Sequence, residues 1–143
     1  MIVCLSCWEV FDREILCSLM SWEMWCPKKS CNQQVADIDE CLIPAIQALN
    51  EKGYYTVSCC SGHFWGNGQA GWTNQYVRFQ ESVKENDLGK LPDGFSMDIN
   101  DNGNLTIRRE FQNDDLLGLH MEILKSSVSL TEWARELPDI NED

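Results

Sequence analysis

A chain of 143 residues has room for a small module beside one larger core. Hydrophobic residues make up 43%, which excludes a disordered chain, and no stretch approaches the roughly 20 apolar residues of a membrane span. The formal net charge of −12 argues against non-specific binding to duplex phosphates and suits a partner with a basic surface. The acid excess is steeper after residue 60, with 15 acidic against 7 basic residues, than before it, with 8 against 4. The N-terminus has no basic region ahead of an apolar one, so no secretory signal is expected. Eight cysteines in a chain without such a signal favour metal binding and buried thiols over disulfides, and a cytoplasmic setting.

In chain order, residues 1–36 read as a zinc-binding module. Cys4-x2-Cys7 and Cys26-x4-Cys31 are two close pairs separated by a medium loop, the spacing of a four-thiolate Zn²⁺ site closing a ribbon or knuckle. The two pairs are expected on facing turns. Trp8, Val10, Phe11, Ile15, Leu16, Trp22 and Trp25 supply apolar surface around the metal, and Pro27 suits the turn after Cys26.

Residues 37–143 read as an α+β domain. The spacing of Leu42, Ala45, Ile46 and Leu49 predicts a helix over 38–53, capped by Asp37 or Asp39, with Pro44 near its first turn and Gly53 at its end. Residues 54–59 have strand composition, and residues 61–75 read as a glycine-rich loop carrying Phe64, Trp65 and Trp72. Residues 76–79, 95–99 and 105–109 read as strands, the last two joined by the hairpin signal Asn100-Asp101-Asn102-Gly103. A helix is expected over 114–126, with Leu116, Leu117, His120, Ile123 and Leu124 on one side and His120 at the core edge. A capping box at Ser129-x-x-Glu132 predicts a separate last helix ending before Pro138. This order fits a mainly antiparallel sheet with helices on one face and the zinc ribbon or knuckle at its N-terminal end. Cys17 and Cys41 are expected as buried thiols. Arg78, Arg108 and Arg109 form either a basic stripe or cross-strand pairs with acids.

The run Ser58-Cys59-Cys60-Ser61-Gly62-His63 is the second chemical signal. A strand ends and a serine-glycine turn follows, where backbone N–H groups can converge on an anion. Cys60 and His63 are three apart and can share one pocket. Three readings stay open: a plain tight turn, a ligand- or partner-binding turn, and a metal or nucleophile–base pair. The binding reading takes in Ser58, Cys60, Ser61, Gly62, His63, Phe64, Trp65 and Trp72.

The segment from about Asn50 to Phe64 resembles the wybutosine-synthesis family of transfer-RNA methyltransferases, which carries Ser-Ser-Cys-Ser-Gly-Arg at a comparable strand-to-turn. Ser58, Cys60, Ser61 and Gly62 match; Cys59 stands for a serine and His63 for the arginine. The first half also resembles uncharacterised zinc-ribbon proteins of Gram-positive bacteria and their phages, where a cysteine ribbon leads into an Ile-Asp-Glu helix and a Cys-Cys-Ser-Gly-His turn. The second resemblance names no activity, and two functional alternatives stand, the first resting on the acidic surface and the aromatic loop. One is a non-enzymatic, zinc-stabilised acidic accessory protein of the phage or mobile-element type. It binds a basic protein partner and acts as an inhibitor of a nucleic-acid-handling enzyme, in an anti-defence or anti-CRISPR-like role. The other is an RNA-modifying enzyme. A small-ligand sensor closing on an anion at Ser61-Gly62 is a third possibility.

Overall fold

The computed structural model describes residues 1–11, 25, 26, 28, 31, 33, 35–63 and 71–141. Ile15, Leu16, Cys17, Trp22, Pro27, Phe64 and Trp65 lie outside that set. The chain divides into two compact units, Met1–Glu40 and Cys41–Asp143.

The first unit contains strands β1 (Ile2–Cys4), β2 (Val10–Phe11) and β3 (Val35–Asp37), an antiparallel sheet with β1 in the middle. The strands are short, and β1 is wholly buried. Register pairs Ile2 with Asp37 and Cys4 with Val35. The terminal ammonium of Met1 donates to the Ile38 carbonyl at 3.0 Å and pairs with Asp37 at 3.4 Å. Asp37 therefore ends a strand and is not a helix cap.

In the second unit a 3₁₀ turn, Glu40–Leu42, leads into α1 (Ile43–Glu51). The N-cap is Leu42, with no side-chain cap bond, so neither Asp37 nor Asp39 caps this helix. Pro44 lies in the first turn, where its missing N–H is harmless. Gly53 follows the helix at φ +90°, and Ala45, Ile46 and Leu49 face the core.

A four-stranded antiparallel sheet follows, β4 (Thr56–Cys60), β5 (Trp72–Phe79), β6 (Ser96–Ile99) and β7 (Leu105–Gln112), in the order β4-β5-β7-β6. A short α2 (Glu85–Leu88) precedes β6, and α3 (Leu116–Glu136) closes the unit. The architecture is α+β. Burial alternates strictly along β5: Thr73, Gln75, Val77 and Phe79 point inward, while Trp72, Asn74, Tyr76 and Arg78 line the opposite, half-buried face. Strand β5 starts at Trp72, so that residue belongs to a strand and not to the expected glycine-rich loop.

Helix α3 is continuous for 21 residues and absorbs both expected helices. Ser127 donates to the Ile123 carbonyl at 2.9 Å and Thr131 to the Ser127 carbonyl at 2.8 Å, satisfying themselves one turn back. The true N-cap is Asp115, whose carboxylate accepts from the Gly118 N–H at 3.1 Å. Leu119, Ile123, Leu130 and Ala134 are buried, whereas Leu116, Leu117 and His120 are exposed. The inward stripe is thus rotated from the expected one.

Gln75 joins this helix to the sheet. Its fully buried amide accepts from Ser126 Oγ at 2.8 Å and donates to Ser127 Oγ at 2.9 Å. A buried amide must be satisfied, and here oxygen and nitrogen both are. Phe111, Leu119 and Ile123 form an apolar cluster in the same layer. On the α1 side, the Lys52 ammonium donates to the carbonyls of Arg135 and Leu137 and ties the end of α1 to the end of α3.

Replacing Gln75 by leucine keeps the volume and orphans the Ser126 hydroxyl. Gln75→Leu is expected to destabilise the second unit by about 1–3 kcal/mol in denaturant unfolding. A change below about 0.5 kcal/mol would show that the network contributes nothing net.

Candidate metal centre and binding turn

Two turns bring the four N-terminal cysteines together. After β1 the chain reverses, with Trp8 N–H bonded to the Cys4 carbonyl at 2.9 Å and Cys4 N–H to the Glu9 carbonyl at 3.0 Å. Trp8 holds φ +56°, a left-handed conformation that glycine adopts more easily. The second pair is held by Cys26 N–H to the Gln33 carbonyl at 2.7 Å and Cys31 N–H to the Lys28 carbonyl at 2.9 Å.

The Sγ atoms of Cys4, Cys7, Cys26 and Cys31 all lie within 4.8 Å of one another. Cys4 and Cys31 sulfurs are 3.5 Å apart, and those of Cys7 and Cys26 3.7 Å. A disulfide would bring two of them to about 2.05 Å. A tetrahedral ion with metal–sulfur bonds of about 2.3 Å has edges near 3.8 Å, which matches the separations found. The donor set of four soft sulfurs with nothing harder suits a thiophilic ion. Cys4 and Cys26 are buried, Cys7 and Cys31 partly so. Burial pushes the Cys26 thiol up to about 12, against the pull of the Lys28 backbone N–H and with help from the other three thiols. Without a cation the Cys26 thiol therefore stays protonated near neutrality; a dication would supply the charge that lets it ionise.

The Cys-Cys-Ser-Gly-His turn belongs to the second unit. In β4, Ser58 stands opposite Arg78 and Cys60 opposite Tyr76, on the half-buried face of the sheet, while Cys59 pairs with Val77 and faces the helices. Ser61 is buried, and its carbonyl accepts weakly from Gln75 Nε2 at 3.4 Å. Gly62 adopts φ +104°, and a Cβ there would meet Thr73 at 3.1 Å and the Asn74 carbonyl oxygen at 3.3 Å. Cys60 Sγ and a ring nitrogen of His63 lie within 4.8 Å, and His63 is exposed. These residues do share one locality. Trp72 lies on the same face but four residues along β5 from Tyr76, about 13 Å away. The turn runs along β5 towards that end of the strand, since Gly62 packs against Thr73 and Asn74.

Of the three strand arginines, Arg108 makes the expected pair with an acid, Asp98, at 3.9 Å. Arg78 Nε instead donates to Thr106 Oγ1 at 3.3 Å, and Arg109 lies 5.0 Å over the Phe111 ring. Cys41 is half-buried, not enclosed. Comparisons with protein-family models, curated proteins and solved structures found no match to this chain.

Cys26→Ser is expected to lower bound metal and to destabilise the first unit by several kcal/mol, because metal binding there is folding free energy. Metal content together with amide exchange in residues 1–11 checks this; parent-like values of both would remove Cys26 from the site. Gly62→Ala should cost about 1–3 kcal/mol in unfolding experiments through its backbone angle and its contact with Thr73.

Proposed function

We propose that this chain is a zinc-stabilised acidic binding protein without catalytic activity, of the phage or mobile-element accessory type. It engages a basic protein partner, such as the groove of a nucleic-acid-handling enzyme, and inhibits that enzyme by occupying the groove. The ion read for the four cysteines is Zn²⁺, the usual occupant of a closed four-thiolate site.

The observation that carries this reading is how the charges are used. The net charge is −12, and several cations are engaged within their own unit. Lys52 binds backbone carbonyls, Arg108 pairs with Asp98, and Lys28 pairs with Glu9 at 2.7 Å. Glu81, Glu85, Asp101, Glu110, Glu122 and Glu132 are exposed. Four thiolates around a dication would add two further negative charges. Apolar anchors are also present: Leu117, Met121 and Val128 recur at helical spacing on the solvent side of α3, with Leu117 70% exposed. Acidic charge would guide the encounter, and apolar contact would hold the complex.

The alternative reading, an RNA-modifying enzyme resembling the wybutosine methyltransferases, draws on the closeness of Cys60 and His63. Saturable binding of S-adenosylmethionine would favour it.

The test is capture by the immobilised, metal-loaded chain from a bacterial extract, elution in a salt gradient, and competition of each captured protein by duplex DNA. The expected result is a basic protein released by moderate salt and displaced by DNA. Retention of nucleic acid itself, or capture indifferent to salt, would contradict the reading.

A further inference from the structure

We infer that the face of the four-stranded sheet turned away from α3 holds a phosphate-class anion, bound by Arg78 and Arg108 with Ser58. The register sets the juxtaposition. One row across the sheet reads Ser58, Arg78, Thr106 and Asp98; the next reads Cys60, Tyr76, Arg108 and Ser96. Arg78 and Arg108 therefore occupy a diagonal on neighbouring strands, with Ser58 beside Arg78 on the outer strand. Like charges on such a diagonal repel, and one acid, Asp98, reaches Arg108 only at 3.9 Å.

Unspent donors point the same way. Among the described residues, the buried side-chain polar atoms with no hydrogen-bond partner are Ser58 Oγ and Arg108 Nε. Both lie on this one face. Buried orphans of this kind are rare in native proteins, and each calls for a physical reason. Other bonds and contacts hold the cations in place. Arg78 Nε is fixed by Thr106 Oγ1 at 3.3 Å, which orients its guanidinium. The Arg108 guanidinium sits 6.0 Å from the centre of the Tyr76 ring. Two oriented guanidinium groups and a hydroxyl donor form the donor set that a tetrahedral oxyanion takes, since guanidinium forks match phosphate oxygens. Two acids share this face, Asp98 at 3.9 Å from Arg108 and the exposed Glu110 opposite Asn74, so a bound anion competes with Asp98 for Arg108. The inference does not depend on the partner-binding reading above.

The experiment is isothermal titration of the metal-loaded chain with inorganic phosphate, against chloride at matched ionic strength, and in a second arm with adenosine monophosphate. Parent protein is expected to bind saturably. Arg78→Met and Arg108→Met should each weaken binding by about tenfold or more, and Arg109→Met, on the other face, should leave it unchanged. Ser58→Ala gives the sharpest readout. It removes an unpartnered hydroxyl, so the melting temperature of the anion-free chain should stay the same or rise, while phosphate binding weakens. Equal affinity for the two probes assigns the site to phosphate itself, and a gain of about tenfold for the nucleotide assigns it to a nucleotide. Absence of saturable binding for both probes, or parent-like binding by Ser58→Ala and both arginine variants, overturns the inference.

Discussion

The first unit brings four sulfur atoms within reach of one ion. Among the described residues its cluster of buried apolar residues is Ile2, Cys4, Cys26 and Val35, with Cys7, Phe11 and Cys31 packed partly against it. Four of those seven are the candidate ligands. Below about 40 residues, metals, disulfides or association usually supplement the apolar core. The sulfur separations fit a metal and exclude disulfides among these four cysteines. Strand β1 then follows as a consequence: Cys4 ends it, pairs with Val35 across the sheet, and turns its sulfur toward Cys31.

The second unit is organised differently, around one strand. β5 is paired on both sides, and each of its faces has a separate task. Gln75 on the inner face binds two serines of α3 and touches the Ser61 turn, so the helix and the Cys-Cys-Ser-Gly-His segment share a support. Arg78 and Tyr76 on the outer face lie beside Ser58 and Cys60. The turn thereby belongs to a sheet face, and its residues act together with the strand next to it.

Much of this was legible in the residues. Cysteine spacing located the four sulfurs because ligand pairs on tight turns leave a local trace. The hairpin over Asn100–Gly103 was legible for the same reason: Asn100 Oδ1 accepts from the N–H groups of Asn102 and Asn104, and Gly103 takes φ +79°. The Ser129-x-x-Glu132 pattern misled, because a four-residue match to a capping box also occurs inside a continuous helix, here Leu116–Glu136. The start of β5 was hidden by glycines upstream and by inward polar residues, Thr73 and Gln75. The burial of Gln75 is made possible by partners more than 50 residues away on α3, and no local pattern records that. The stripe on α3 was misjudged because Leu116 and Leu117 are exposed near its N-terminus, while Ser126 and Ser127 occupy core positions. The face pairing Ser58, Arg78 and Arg108 depends on register between strands distant in sequence, which periodicity does not reveal.

The central claim is that Cys4, Cys7, Cys26 and Cys31 form a complete four-sulfur set for one metal ion, one that needs no ligand from the Cys-Cys-Ser-Gly-His turn. Metal content per chain, measured by native mass spectrometry on the parent and on the Cys60→Ser/His63→Ala double variant, tests it most directly. The account predicts one zinc in both. Loss of the metal in the double variant, or two mass-equivalent cysteine oxidations in place of a metal, would contradict it.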